Sequence, residues 1–365
     1  MDFTLTEEQA AAVELAARIL GDHSTHERLT AAGTGSDAGL WKELCAAGLV
    51  AAVADTGLLG LVLMLEEQGR VTAQVPFAAS CVYGLLAVAR HGSPEQRERL
   101  LPGIADGTVV VTGAITGTEA VLSTPAPSPA SPASPSSSPS PSLFSSSGTL
   151  TGVLPAVPWL RDATHVLVAD DHRRLWLVRT AEAAVSEPVE LTAPWSAGRL
   201  TLDGTPGETL GAADACEDLL ATARTAFAGL QAGVCAGSLA RAVEHTNARE
   251  QFGQPLAARQ GVQLRAADAY MDTEAIRVTV YEAAWRRDEG LPYATHALTA
   301  AWWASEAGRR VVHTGQHLHG GAGADLGHPV HRHFLWGRQL DAYLGCGGEL
   351  LQELGELIAN GKVET

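Results

Sequence analysis

The spacing of apolar residues divides the chain into a helical part, a short strand-rich part and a second helical part. At the N-terminus, apolar residues recur at helical spacing after Thr6, whose hydroxyl can cap a helix that opens with two glutamates. The other helices predicted in this part cover 38–48 and 58–69, and one more starts at Ser93-Pro94. We therefore predict an N-terminal helical domain over residues 1–108.

From Thr108 onward, short runs rich in β-branched and other apolar residues predict strands. The predicted strands are 109–112, 150–154, 165–169, 175–178 and 200–202. Residues 123–147 are almost wholly Ser, Pro and Ala, a composition that buries too little apolar surface to offset the entropy lost on ordering. We expect a small β domain over 109–205 that carries a disordered insertion at 123–147.

Helical spacing returns in the last part of the chain, which we assign to a C-terminal domain over 206–365. The helices predicted there are 214–250, 260–288, 293–313 and 338–358. Four long antiparallel helices form a bundle. No Gly-x-Gly-x-x-Gly follows a predicted strand, which argues against a dinucleotide-binding βαβ fold. The predicted fold class is α+β: a helical domain, a small β domain and a four-helix bundle.

Composition narrows the class of protein. The chain has 365 residues and a formal net charge of -16, with no basic cluster of the kind that binds nucleic acid. Its five scattered cysteines form no Cys-x-x-Cys pair, which indicates reduced thiols in a cytoplasm. The N-terminus lacks the pattern of a signal peptide, and no run of about 18 apolar residues predicts a membrane span. We expect a cytoplasmic protein with neither a nucleic-acid nor a membrane partner.

Two motifs in the C-terminal domain suggest a chemistry. The first is Arg249-Glu250-Gln251-Phe252-Gly253-Gln254-Pro255-Leu256, followed by Gln260. A guanidinium fits phosphate oxygens with its planar fork, although an arginine at a helix end can also simply serve the helix dipole. We expect Gly253 to let the backbone leave the helix. The second motif is Gln316-His317-Leu318-His319-Gly320-Gly321, where the glycine pair permits close approach of a ligand.

The two motifs and the helix–sheet–helix order resemble the acyl-CoA dehydrogenase family. The resemblance implies an FAD between the β domain and the C-terminal bundle, partly across a subunit interface. It assigns Arg249 to the flavin diphosphate, Phe252 to packing on the nucleotide and Gln260 to the adenylate side, and His317 replaces a usual glutamine. The residues implied to bind the cofactor are Arg249, Phe252, Gly253, Gln260, His317, Gly320 and Gly321.

The same resemblance shows where a catalytic base should be. The family removes the α-proton of an acyl thioester with a glutamate while a hydride passes to the flavin. The two positions that carry this glutamate in the family are Leu344 and Ala223 here, so no catalytic residue is predicted. For a nearby acid, Glu349, we expect a structural role at the start of a helix, where the dipole stabilises its charge. A family loop against the flavin ring and CoA is replaced after Glu119 by the Ser/Pro tract.

The absent glutamate leaves three hypotheses open. Heteromeric acyl-CoA dehydrogenases of steroid side-chain degradation pair a glutamate-bearing subunit with one that lacks it, and this chain resembles the second kind. It would complete FAD sites shared with that homologous partner and act on an acyl-CoA thioester, with an electron-transfer flavoprotein as the implied acceptor. The alternatives are a homo-oligomeric flavoenzyme of the same fold with an unrecognised base, and a flavin-free scaffold.

Six histidines between positions 313 and 333 are a further feature of the C-terminal domain. A metal site is one interpretation of such a group. No carboxylate or cysteine cluster accompanies the histidines, and we therefore predict a polar, partly interfacial turn and no metal.

Overall fold

The computed structural model describes residues 4–115 and 147–361, and its first part is helical as predicted. The helices are α1 (Glu7–His23), α2 (His26–Ala32), α3 (Ala38–Ala46), α4 (Leu49–Val71), α5 (Phe77–Ala79), α6 (Ala87–His91) and α7 (Pro94–Ala105), with a π-helical segment at Ser80–Leu86. Thr6 and Ser93 cap α1 and α7 through capping boxes, which confirms both predicted starts. Helix α2 was not predicted, because seven residues are too few to display a helical period.

The middle part is a six-stranded sheet in the order β1-β3-β4-β6-β2, with β5 paired to β6. The strands are β1 (Val111–Ala114), β2 (Ser147–Val157), β3 (His165–Ala169), β4 (Leu175–Arg179), β5 (Val185–Pro188) and β6 (Gly198–Leu210). β1 and β3 are parallel, and the other pairs in this sheet are antiparallel. The five predicted strands are present, although β1 is shifted and β6 is longer. β5 was missed, because all four of its residues are exposed and give no alternating pattern.

The boundary of the predicted insertion needs one correction. Ser147 already belongs to β2, where it pairs with Glu208 of β6. The rest of the predicted insertion, residues 123–146, lies outside the described residues, as does the loop that ends at Glu119.

The described C-terminal part contains five helices, not the four predicted for the bundle. They are α8 (Ala215–Ala248), α9 (Gln260–Asp288), α10 (Ala294–His319), α11 (Pro329–Leu340) and α12 (Gly347–Ala359). Helix α9 has the predicted bounds, and α10 continues six residues past the predicted end at His313. The single helix predicted over 338–358 is wrong: Gly345 has a φ of 113°, outside the helical region, and Cys346 caps a new helix.

Helices α4 and α8 form the centre of the molecule. By length and composition both could cross a membrane, although neither contains an uninterrupted run of about 18 apolar residues, as expected from the sequence. Both are nevertheless mostly buried within the protein. Their backbones touch: a Cβ added to Gly69 would lie 2.2 Å from the Leu230 carbonyl oxygen, and one added to Gly233 would lie 2.1 Å from that of Glu66. We therefore interpret α4 and α8 as core helices of a soluble protein.

Candidate functional site

The first motif forms a small exposed hairpin between α8 and α9. Helix α8 ends at Ala248, and two short strands, β7 (Glu250–Gln251) and β8 (Gln254–Pro255), follow it. Phe252 and Gly253 form the turn, with φ values of 55° and 79°. The expectation that Gly253 releases the chain from the helix is therefore wrong, because the helix ends before it. Glycine suits this position because a two-residue hairpin turn requires positive φ.

The side chains of this hairpin point away from the chain's own core. Phe252 is 91% exposed, and its only ring contact in the described structure is with the Arg259 guanidinium, 5.2 Å from the ring centroid. Arg249 and Gln260 are exposed as well, and Arg249 forms no ion pair with any described residue. A large exposed aromatic ring and an exposed arginine without an ion pair among the described residues, both on one short hairpin, suit a ligand or partner that approaches from outside.

The second motif ends α10 and is exposed in the same way. Gly320 follows the helix with a φ of 62°, which explains a glycine at this position. A Cβ added to Gly320 or Gly321 would meet no other atom within 4 Å, so packing inside the chain does not account for the second glycine. His317 is exposed, whereas the amide of Gln316 donates to the Gly323 carbonyl oxygen at 3.2 Å. His317 is thus free to take the outward contact of the motif.

A histidine stack brings the two motifs to one end of the helical domain. His245 lies one turn before Arg249 on α8, and its ring stacks on that of His319 with centroids 4.6 Å apart. His328, which caps α11, contacts His319 edge-on at 5.0 Å. Within the described ranges, no group of three or more His, Cys, Asp or Glu residues is arranged to hold a metal ion.

Both family positions for the catalytic base are buried and apolar. Leu344 and Ala223 are almost inaccessible to solvent. The carbonyl oxygen of Leu344 accepts a hydrogen bond from Arg224 Nε at 3.3 Å, and the rest of the Arg224 guanidinium is held by Glu353 at 2.7 and 2.8 Å. Glu349 accepts from the Cys346 backbone N–H at 3.0 Å, which lowers its pKa. That contact is the predicted structural role of Glu349 at the start of α12.

Six aromatic side chains fill the space between the sheet and the C-terminal helices. This aromatic cluster consists of Tyr83, Trp159, Trp195, Phe227, Trp336 and Tyr343. Trp159 and Trp195 stack with centroids 4.5 Å apart, and Trp195 meets the edges of Trp336 at 5.5 Å and Tyr343 at 5.6 Å. Phe227 contacts Tyr343 at 4.8 Å. Sequence analysis missed this cluster, because its members lie far apart in the chain and share no motif.

The cavity beside the aromatic cluster is small. It has a volume of about 200 Å³ and is lined by residues that include Tyr83, Pro158, Gln339, Tyr343 and Leu344. Pockets for cofactors and drug-sized ligands usually measure about 300–1,000 Å³. None of the described residues that line this cavity is a carboxylate. As lined by the described residues, the cavity is too small for a flavin ring together with an acyl thioester.

Comparison with known proteins agrees with this architecture. Residues 6–108 match the family model "Acyl-CoA dehydrogenase, N-terminal domain" and residues 211–355 match "Acyl-CoA dehydrogenase, C-terminal domain". The chain is 31% identical over 353 residues to acyl-CoA dehydrogenase FadE27 of Mycobacterium tuberculosis, with 88% of each covered. It resembles the Tcur3481-Tcur3483 steroid ACAD at 38% identity and a TM-score of 0.87, covering 99% of this chain and 100% of that one. The ChsE4-ChsE5 complex from Mycobacterium tuberculosis is 29% identical with a TM-score of 0.88, covering 98% and 99%.

Proposed function

The chain belongs to the acyl-CoA dehydrogenase family of FAD-dependent oxidoreductases that act on CH–CH groups, and we propose that it is the glutamate-less subunit of a heteromeric member. In this proposal it completes FAD sites that it shares with a homologous partner. When bound, FAD accepts a hydride from the acyl thioester, and the partner supplies the carboxylate that takes the proton. In this proposal, the chain contacts the cofactor and forms part of the assembly, but it does not take the proton.

The observation that carries the proposal is the filled space between the sheet and the C-terminal helices. The resemblance places FAD in that space, but the aromatic cluster occupies it and Leu344 replaces the base. Opening it would expose three indole rings that are now fully buried, those of Trp159, Trp195 and Trp336. Aromatic side chains of this size contribute several kcal/mol each when buried, on the order of 3–5 kcal/mol by truncation. The chain therefore favours the closed arrangement.

The exposed motifs support a role toward a cofactor held elsewhere. Arg249 offers a guanidinium for the diphosphate, and Phe252 offers an aromatic face for the nucleotide. Gln260 and His317 add hydrogen-bonding groups on the same domain, and the glycine pair at Gly320 leaves the backbone accessible. None of these groups is consumed by packing against residues 4–115 or 147–361, so all remain available to a partner's flavin.

One face of α9 supports the presence of a partner. Leu264, Met271 and Val278 are 57%, 61% and 59% exposed and follow one another at seven-residue intervals, which places them on one side of the helix. An exposed apolar stripe of this kind marks an interaction surface. The stripe begins close to Gln260, where the resemblance expects a shared cofactor. Since two structural relatives are named as pairs, ChsE4-ChsE5 and Tcur3481-Tcur3483, we assign the stripe to a homologous subunit.

The proposal extends to substrate and cellular setting. One relative is described as a steroid ACAD, which favours a bulky, steroid-derived acyl-CoA thioester as the substrate of the complex. An electron-transfer flavoprotein is the proposed electron acceptor. The reduced cysteines expected from the sequence, four of them buried, suit a cytoplasmic protein.

The visible absorption spectrum tests the proposal directly. The chain is purified alone and, separately, after co-expression with a homologue that carries the glutamate. We expect flavin bands in the complex only, together with acyl-CoA dehydrogenation that is lost when the partner's glutamate is replaced by glutamine. Flavin bands in the lone chain would instead indicate a homo-oligomeric flavoenzyme. A colourless protein both alone and in the complex would indicate a scaffold.

A further inference from the structure

The apolar stripe on α9 is bordered by carboxylates. Leu264, Met271 and Val278 lie on the side of the helix opposite its buried residues, which include Thr273 and Ile276. The positions three and four residues after each member of the stripe flank it on either side. These positions carry three acids and no base: Ala267, Asp268, Glu274, Ala275, Tyr281 and Glu282. The outer face of α9 is therefore apolar along its centre and acidic along its border.

The first acid of the border, Asp268, is exposed and forms no ion pair with any described residue. The groove beside it, between α9 and α10, contains two arginines, Arg265 and Arg310. Arg310 is held by Asp272 at 2.7 and 2.9 Å, and Arg265 lies further around the helix from the stripe. Neither arginine pairs with Asp268, so the charge of this carboxylate is available to a partner.

The other two acids of the border are only partly neutralised within the chain. Glu274 contacts Arg277, but Arg277 also donates from Nε to the buried carboxylate of Glu66 at 2.9 Å. One arginine between two carboxylates leaves a net negative charge at this point. Glu282 has two basic neighbours at longer range, His296 at 3.4 Å and Arg286 at 3.9 Å.

Two copies of this chain cannot pair through the stripe without bringing acids together. In an antiparallel pair of α9 helices centred on Met271, Asp268 of one copy would lie opposite Glu274 of the other. In a parallel pair, each acid would lie opposite its own counterpart. Like charges that face each other beside an apolar seam oppose association, whereas opposite charges favour it. The border therefore selects between partners that could all cover the same apolar side chains.

We propose that the outer face of α9 excludes a second copy of this chain and fits a partner helix whose own apolar stripe is bordered by lysine or arginine. Charge complementarity identifies this occupant, because such a helix would cover Leu264, Met271 and Val278 and neutralise Asp268 at the same time. That the helix belongs to the homologous, glutamate-bearing subunit rests on the proposed function. The exclusion of a second copy does not.

A charge-reversed copy of the full-length chain tests this selection without the homologous subunit. The triple variant combines Asp268→Lys, Glu274→Gln and Glu282→Lys, since glutamine at 274 can still accept a hydrogen bond from Arg277. Sedimentation velocity compares the wild type, the triple variant and their equimolar mixture at about 0.15 M salt. We expect mixed dimers with a dissociation constant about fivefold or more below that of either homodimer, because opposite charges then meet beside the stripe. About 1 M salt should remove most of this difference.

The matched control changes the net charge by the same amount on the N-terminal helices. It combines Glu14→Lys, Asp55→Lys and Glu98→Gln, all at exposed positions without an ion pair among the described residues. The control should associate with the wild type no more tightly than the wild type does with itself. If the triple variant melts at a lower temperature than the wild type, Asp268→Lys alone replaces it, and its mixture with the wild type is compared with the wild type alone.

The complex with the homologous subunit provides the second readout. The triple variant should bind that subunit about tenfold or more weakly than the wild type, and the control should bind it normally. A mixture that associates no more tightly than the wild type alone, or a triple variant that binds the homologous subunit as well as the wild type, would overturn the proposal. If no homologous subunit co-purifies with the wild type, the proposed function fails, and the mixture of the two copies still decides whether the border selects by charge.

Discussion

At the scale of single residues, the aromatic cluster contains one buried polar contact that is open to test. The hydroxyls of Tyr83 and Tyr343 lie 3.0 Å apart, and burial raises the pKa of both. Since the two hydroxyls satisfy each other, removing one leaves the other without that partner in an apolar setting. The pair therefore links the segment that follows α11 to the π-helical segment at Ser80–Leu86.

Tyr343→Phe should lower the free energy of unfolding of the lone chain by about 1–3 kcal/mol, the cost of a buried unpaired hydroxyl. The double variant Tyr83→Phe with Tyr343→Phe should lose less than the sum of the two single changes, because no hydroxyl is then left unpaired. Urea unfolding measures both effects. Tyr270→Phe, on the exposed surface of α9, is the control. Additive losses would show that the two hydroxyls do not depend on each other.

Arg249 is the residue for which the shared-cofactor proposal makes its most direct prediction. It is exposed and unpaired within the described residues, so its removal should leave the fold intact. In the co-purified complex, Arg249→Ala should weaken FAD retention by on the order of 1.5–3 kcal/mol, as for a charged hydrogen bond. Equilibrium dialysis of flavin measures this, with Arg199→Ala as the matched exposed control. Unchanged retention would remove Arg249 from the cofactor contacts.

At the scale of elements, local signals predicted some boundaries and long-range contacts decided others. Helix α9 was predicted with its true bounds, because an uninterrupted helical period lies between clear breaks. The break at 341–346 was missed, because the apolar period on both sides hides the turn at Gly345. The two motifs that the resemblance assigns to FAD were visible because each is contiguous in sequence. The aromatic cluster was not, because three separate parts of the chain supply it.

Helix α4 shows how a distant side chain completes an element. The helix is interrupted at Gly57, which has a φ of 71°, and the Asp288 carboxylate accepts hydrogen bonds from the Leu58 and Leu59 backbone N–H groups, both at 2.9 Å. Asp288 thus caps the second half of α4 from the end of α9. A Cβ at Gly57 would lie 2.6 Å from that carboxylate, so glycine is required there for space as well as for its φ.

Asp288→Ala should lower the free energy of unfolding by about 1–2 kcal/mol, as for the loss of a helix N-cap. Asp288→Asn should lose less, because the amide oxygen still accepts one of the two hydrogen bonds. Glu289→Ala, at the exposed next position, should have little effect. Thermal and urea unfolding of the three variants check the order. If the alanine and asparagine variants are equally destabilised, the carboxylate charge matters and not the cap.

At the scale of the whole molecule, the space between the sheet and the C-terminal helices is filled, whereas one face of α9 is exposed. The space between the sheet and the C-terminal helices is filled by side chains from all three parts of the protein, which join them into one core. The outer face of α9 carries Leu264, Met271 and Val278 with no covering element among the described residues. The distribution of apolar surface therefore favours a subunit whose role lies in an assembly.

The exposed stripe on α9 makes the assembly testable independently of the cofactor. Met271→Lys places a charge in the middle of the stripe, where a partner's apolar side chains would have to bury it without a counter-ion, at a cost of several kcal/mol. We expect the variant to fold with an unchanged melting temperature and to fail to co-purify with the homologous subunit. Light scattering after gel filtration measures the assembly.

Tyr270→Lys is the matched control, because Tyr270 is equally exposed but points away from the stripe. If the Met271→Lys complex stays intact, the partner binds on another face of the protein. A flavin shared at Gln260, at the start of α9, would then lose the support of the stripe.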